Sequence, residues 1–406
     1  MTTESSFGLR LKTLRQQHGL SQAELAGGEI STGYLSRLES GARQPTERVI
    51  VHLAKRLGVD RSAFYARPST TNSLAQALSL AASSDGDAAV EDLIEVLAGA
   101  ADEDPLLRWQ ALWLIAQYRN GRGEHAEQLA CLEELSHIAD EFELPALQCR
   151  SRSRLARCLR ATGDVARALE LAVSAHQVAR EAALPVSDKA NALLALVSVE
   201  AEAGRLPDAR AHAEELVALV ADGPGTLRAE ALWSAATVSS RQGDDDAARA
   251  FLQLAMTVLD SRVDPVLWAR LRLAAASLYL QASPPSLGRA RACLKEADAA
   301  FALIGTQVQQ QELLVLQAHL AFTEGHHDTA RAALSRLDPD KLVLTYRDRI
   351  RLQTLDARLL TVEGHREEGL TRLKQLAEEA RGAAYLDLAA EIWRILAELL
   401  EGGAGR

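Results

Sequence analysis

Six glycines recur at a nearly constant interval: Gly123, Gly163, Gly204, Gly243, Gly325 and Gly364, spaced 40, 41, 39, 82 and 39 residues apart. The gap of 82 is two periods, and its midpoint falls at Pro284-Pro285, a turn of different chemistry. An interval of this length means one supersecondary unit stacked several times. An Ala/Leu-rich segment precedes each glycine and a second begins just after it. Seven residues before the glycine the side chain is small: Ala116, Ala156, Ala236, Ala318 and Ala357, with Val197 in one unit. Five residues after it come Ala168, Ala209, Ala248, Ala330 and Gly369. Small residues at facing positions let two helices approach closely, so each unit is predicted to be a helical hairpin. Asp164 and Asp244 directly follow their glycines, where a helix N-terminus favours an acid.

Composition agrees with an all-α fold. Apolar residues make up 48% of the chain and aromatics only 4%, and the apolar share is mainly Ala and Leu, both strong helix formers. A chain of 406 residues is too long for one compact core. The cysteines, Cys131, Cys149, Cys158 and Cys293, form no C-x-x-C pair and are expected to be reduced thiols of a cytoplasmic protein. No apolar run approaches the ~18 residues that span a bilayer, so no membrane association is expected.

The first 67 residues differ from the rest. They hold ten Lys or Arg against six Asp or Glu, so this segment carries +4 and the remainder carries −14 of the net −10. A basic head on an acidic body suits phosphate contact through the head alone. Phe7, Leu11 and Leu14 recur at helical spacing and mark a helix ending near Gly19. Ser21 with Glu24 reads as a capping box for a short helix over 22–26, which Gly27-Gly28 terminates. Ser31 caps a third helix over 32–40, closed by Gly41 and stopped by Pro45. Val49, Ile50, Leu53, Ala54 and Leu57 mark a fourth, and Asp60 opens a last short helix through Phe64 and Tyr65.

These residues resemble the XRE, or Cro/repressor-type, helix-turn-helix domain. The likeness lies in Gly-Leu-Ser-Gln-Ala-Glu-Leu-Ala (19 to 26), Tyr-Leu-Ser-Arg-Leu-Glu-Ser-Gly (34 to 41), Pro45 and Leu-Ala-Lys-Arg-Leu-Gly-Val (53 to 59). The resemblance implies that Thr32, Gly33 and Arg37 face base edges; Arg37 can grip guanine O6 and N7 in bidentate fashion. It implies phosphate contacts from Gln22, Ser40 and Arg43, and an internal Arg15–Glu39 ion pair. With Ser31 and Ser36, the expected DNA-facing set is Gln22, Ser31, Thr32, Gly33, Ser36, Arg37, Ser40 and Arg43. The stretch from Ala26 to Ser31 is about one residue shorter than the family's usual turn.

The glycine-spaced body resembles the tetratricopeptide repeat (TPR), with a period nearer 40 than that family's 34 residues. The resemblance implies an α-solenoid whose concave wall is lined by the first helix of each pair. Carrying the family's inward register from each glycine places Gln110, Trp113, Gln117, Arg150, Ser153, Arg157, Asn191, Ser198, Trp233, Thr237, His319 and Arg358 on that wall. Such a mixture suits a peptide, with amides for its backbone and Arg for a carboxylate. The expected boundaries are a DNA-binding domain at 1–67, a linker and irregular first hairpin at 68–104, repeats at 105–382, and a capping helix with a disordered tail at 383–406. Asn72 to Ala100 supplies the irregular unit, with Gly86 at its turn.

No Gly-rich phosphate loop, zinc-spaced His/Cys set or G-x-S-x-G elbow occurs, so neither enzymatic activity nor a cofactor or metal is expected. His326-His327, Glu133-Glu134 and Glu378-Glu379 read as solvated surface. Domain order resembles that of the peptide-pheromone-sensing regulators of bacteria. The expectation is a homodimeric transcriptional regulator that binds a two-fold symmetric double-stranded DNA operator and senses a peptide or other small effector. The competing expectation is a DNA-tethered adaptor whose repeats dock another protein. A closed polar groove would favour the first and an open, shallow one the second.

Overall fold

The computed structural model describes residues 4–64, 70–83, 86–99, 104–282 and 284–401. Among them every regular element is helical, with 21 α-helices in all. Tyr65, Ala100 and the terminal Gly-Gly-Ala-Gly-Arg lie outside the described residues. Two compact units divide between Arg108 and Trp109.

The first unit opens with α1 (Glu4–Gln17), α2 (Gln22–Ala26), α3 (Thr32–Glu39) and α4 (Glu47–Leu57), then a one-turn 3-10 helix over Arg61–Phe64. Phe7, Leu11, Leu25, Leu35, Leu38, Leu53 and Phe64 form its core. The capping box at Ser21 is present: its hydroxyl accepts from the Glu24 amide at 3.2 Å, and the Glu24 carboxylate accepts from the Ser21 amide at 2.6 Å. Gly8 lies against the carbonyls of Leu38 and Glu39, so α1 and α3 cross where no Cβ would fit. α5 (Thr70–Ser83) and α6 (Asp87–Ala98) pair through Leu74, Ala81, Val90, Leu93 and Leu97, and Gly86 caps α6.

The second unit is a series of hairpins: α7 (Pro105–Arg122) with α8 (His125–Glu141), α9 (Pro145–Thr162) with α10 (Val165–Glu181), and α11 (Val186–Glu202) with α12 (Leu206–Leu219). There follow α13 (Gly225–Arg241) with α14 (Asp245–Val258), α15 (Pro265–Gln281) with α16 (Leu287–Ile304), and α17 (Gln307–Thr323) with α18 (His327–Leu334). α19 (Tyr346–Val362) pairs with α20 (Arg366–Gly382), and α21 (Leu386–Glu401) packs on α20. All six periodic glycines have positive φ, between 72° and 107°, a region costly for side-chain-bearing residues. The facing small residues are buried as the spacing predicts. Ala116, Ala156, Ala236, Ala318 and Ala357 are fully buried, and a Cβ on Gly369 would meet the Ala357 carbonyl at 2.5 Å. Asp164 and Asp244 accept from the amides of Arg167 (3.2 Å) and Ala247 (3.1 Å) as helix caps.

From α9 to α19 the odd-numbered helices pack on one another in series, and α19 then meets α9. The row therefore closes on itself. The Gly163 backbone faces the Tyr346 ring, and Gly204 faces Leu386. At the centre of this seam lies Glu202, 2% exposed. Its carboxylate takes Arg160 Nη1 at 3.1 Å, Arg241 Nη2 at 3.2 Å and Arg347 Nε at 2.8 Å. Arg347 also grips Asp387 at 2.7 Å, and Tyr385 donates to the Arg160 carbonyl. Burial alone would raise the Glu202 pKa, but Arg241, Arg347 and Arg160 outweigh it and hold the carboxyl well below its usual range. A carboxyl depressed in this way contributes stability above its unfolded pKa, which is lost as pH falls below it.

Removing one partner of a buried charge cluster strands the others. Glu202→Gln, nearly isosteric, should lower the unfolding free energy of the second unit by about 3–5 kcal/mol at pH 7. The difference should shrink under acid, as followed by urea denaturation monitored at 222 nm.

Candidate functional site

Two surfaces carry some of the residues singled out from sequence. The first is the exposed face of α3. Leu35 and Leu38 are fully buried, which turns Thr32, Gly33, Ser36 and Arg37 outward. The Ser31 hydroxyl caps α3 by accepting from the Tyr34 amide at 3.1 Å, a local structural role. Arg37 Nε donates to the Gly33 carbonyl at 3.1 Å, laying the guanidinium along the helix it leaves. Ser40 Oγ donates to the Arg37 carbonyl at 3.2 Å, and Arg43 stacks on the Tyr34 ring at 4.9 Å. Both residues remain exposed.

Behind this face the expected ion pair is present. Arg15 Nε and Nη2 meet the Glu39 carboxylate at 2.6 and 3.1 Å, and Gln22 Nε2 donates to the same carboxylate at 2.8 Å. Burial opposes the Glu39 charge, yet Arg15 and Gln22 keep its pKa below the ordinary value. The Gln22 side chain, expected at phosphate, is thus engaged inside the domain and braces α2 against α3. The short turn between them is made by Gly27 and Gly28, with φ of 61° and 81°. His52 closes it by meeting the Ala26 carbonyl at 3.2 Å and Glu29 at 3.0 Å.

The second surface is a cavity of about 340 Å³ inside the second unit, lined from α9, α11, α13, α15, α17, α19 and α21. Its wall carries five arginines, Arg160, Arg241, Arg270, Arg347 and Arg351, against Glu202, Glu312, Asp348 and Glu391. Of the twelve residues placed on the concave wall by register, Trp233, Thr237 and His319 line it. The other nine lie off it. Trp113 is sandwiched by Trp109 (5.0 Å) and Arg154 (4.1 Å), Arg150 pairs with Asp188 at 2.8 Å, and Arg358 covers the Phe322 ring at 4.4 Å. Asn191 donates to the Ser187 carbonyl at 2.9 Å, and Ser198 donates to that of Ala195 at 2.9 Å. Ser153 is buried, Arg157 is half-buried, and Gln110 and Gln117 face solvent.

The lining residues missed from sequence have several causes. Arg270, Ser277 and Gln281 sit on α15, whose hairpin lacks the glycine that set the register. Arg160, Ser240 and Arg241 lie one turn beyond assigned positions. Arg347 and Asp348 lie at the start of α19, further from its glycine than the register was carried, whereas Arg351 and Glu312 sit at the same offset from Gly364 and Gly325 as Gln110, Arg150 and Asn191 from theirs.

The cavity's charges are unevenly satisfied. Arg351 donates to Gln281 Oε1 at 2.8 Å and lies 3.6 Å from Glu391. Arg270 stacks on Trp233 at 5.3 Å and has no ion-pair partner among the described residues. Burial and the adjacent Asp348 push the Glu312 carboxyl up to about 7, with Arg270 opposing them. Burial, helped by Arg358, depresses His319 to about 4, so the imidazole is neutral at pH 7. The wall thus presents arginines and carboxyls within one cavity.

Residues 6–64 match a family described as a helix-turn-helix domain. The N-terminal unit carries a helix-turn-helix domain. No curated protein matches this chain. Among solved structures, a Rap protein complexed with competence and sporulation factor is similar over 99% of both chains, at 9% identity and a TM-score of 0.53. The Rap conjugation gene regulator of the plasmid pLS20, in complex with the Phr* peptide, is similar over 96% of this chain and 97% of its own, at 10% identity and a TM-score of 0.55. The apo form of RapI is similar over 68% of this chain and 98% of its own, at 11% identity and a TM-score of 0.50. At such identities the likeness concerns fold, and it agrees with a TPR-like helical-repeat architecture. No described helix is long and apolar enough to cross a membrane.

The Glu312 carboxyl, raised above its unfolded value, favours folding below about pH 4.5 and loses that contribution as pH rises through about 7. Glu312→Gln should therefore unfold at the same denaturant midpoint as the parent near pH 4.5 and be about 1–3 kcal/mol more stable at pH 8. The depressed His319 acts with opposite sign, costing stability as pH falls from its ordinary range toward 4, and this limb should persist in the variant.

Proposed function

We propose that the protein is a cytoplasmic, sequence-specific transcriptional regulator, without catalytic activity, whose repeat unit senses a small effector. The observation that carries the reading is a basic helix-turn-helix domain preceding a helical-repeat unit with a charged cavity. The domain boundaries at 67, 104 and 382 belong to this reading. Thr32, Ser36 and Arg37 face base edges, with Arg37 swinging off Gly33 to reach guanine. Gly33 leaves room for close approach, while Ser40, Arg43 and the amide end of α2 at Gln22 meet phosphate. Ser31 acts by fixing where α3 begins.

One of the Rap structures is in complex with the Phr* peptide, and another with competence and sporulation factor. A cavity of about 340 Å³ lies within the range of small-ligand sites. Its mixed lining suits a short peptide or another zwitterion: Arg270 for a carboxylate, Glu312 and Asp348 for an amine, and Trp233 for an apolar side chain. A concave, charged site of this size supports effector sensing over the adaptor reading. One such head reads few base pairs, so useful specificity requires two on a dyad operator and hence a homodimer. An effector acts by binding one arrangement of the repeats better than another.

Arg37→Ala should keep its fold and salt-sensitive DNA binding while losing at least about tenfold in discrimination between operator and random duplex, as read by gel-shift competition on sites from genome-wide footprinting. Undiminished specificity would remove α3 as the reading element. Sedimentation of the full chain at micromolar concentration should show a dimer; a monomer there would overturn the two-headed reading.

A further inference from the structure

Away from both surfaces, the outer layer of the repeat unit holds a cluster that neither uses. His176 on α10 is 8% exposed, and its Nδ1 is buried without a hydrogen-bond partner. An unmet buried polar atom costs about 1–3 kcal/mol and calls for a physical reason. Its ring lies edge-on to His212 of α12, with centroids 5.4 Å apart. Glu215 lies one turn further along α12, on the same face as His212. One ligand atom from each of His176, His212 and Glu215 falls within 4.8 Å of the others.

A fourth residue gives the cluster its direction. Glu200 of α11 is 2% exposed, and its Oε2 lies 2.8 Å from His212 Nδ1. A carboxylate there favours the tautomer whose Nδ1–H donates to it, leaving the Nε2 lone pair outward and more basic. Metal-bound imidazoles are held and oriented by the same arrangement. Two imidazoles and one carboxylate, with a fourth position open to water, form the donor set of a tetrahedral zinc-type site, and imidazole disfavours magnesium or calcium.

We propose that His176, His212 and Glu215 bind one divalent transition-metal ion of the zinc class, with Glu200 as positioning residue. The ion would tie α10 to α12 across α11, on which both helices pack. No spacing in the sequence announces such a site, because its ligands come from two hairpins. The alternative is a histidine edge contact with no ion.

The test uses the full chain, stripped with a chelator and titrated with zinc chloride by calorimetry at pH 7.5. We expect one zinc per chain and a rise in Tm. His212→Asn and Glu215→Gln should weaken binding at least about tenfold, and Glu200→Gln about 10- to 100-fold with unchanged circular dichroism. Glu215 is exposed, so its variant stays informative if substitutions at the buried His176 fail to fold. Cobalt(II) should give d–d bands without thiolate charge transfer. Absence of stoichiometric zinc, equal affinity in the His212 and Glu215 variants, or a thiolate band from any of the four free cysteines would each overturn the proposal.

Discussion

The buried carboxylate of Glu202 turns a row of hairpins into a closed wall. Each hairpin is held by its own alanine and leucine contacts, which act between sequence neighbours. Glu202 acts across 145 residues to Arg347, and Arg347 across another 40 to Asp387. Desolvating three guanidinium groups and two carboxylates is costly, and mutual attraction repays it only when each hydrogen bond is well aimed. The cluster therefore sets where α19 and α21 sit against α9, α11 and α13 more sharply than an apolar seam would. The cluster also holds one more guanidinium than carboxylate.

Tolerance differs between the two units. In the first, the crossing of α1 and α3 at Gly8 and the Arg15–Glu39–Gln22 chain fix the angle at which α3 is presented. The exposed face itself carries few internal bonds. In the second, most of the cavity's arginines are paired within the wall, while Arg270 and Glu312 have no ion-pair partner among the described residues.

Much of the fold was legible because its causes are local. A left-handed turn asks for glycine, and a close helix crossing asks for alanine seven residues before it and five after; both appear as intervals. The Arg15–Glu39 pair was legible through the resemblance carried by residues 19 to 59. The cavity was not. Its lining depends on how far each helix rotates about its axis and on which distant helix returns to meet it, and neither leaves a trace in spacing. Arg160, Arg241 and Arg347 look in sequence like ordinary exposed helix arginines. Trp113 and Arg150, expected on the concave wall, are taken up by Arg154 and Asp188.

The closing of the wall by charge has a consequence for biosynthesis. A ribosome delivers α9 and α11 long before α19 exists, and a pairing 145 residues long forms late. During that wait the surface left bare is arginine and glutamate, well hydrated and resistant to sticking. A nascent chain whose late seam was apolar would spend the same interval exposed to aggregation.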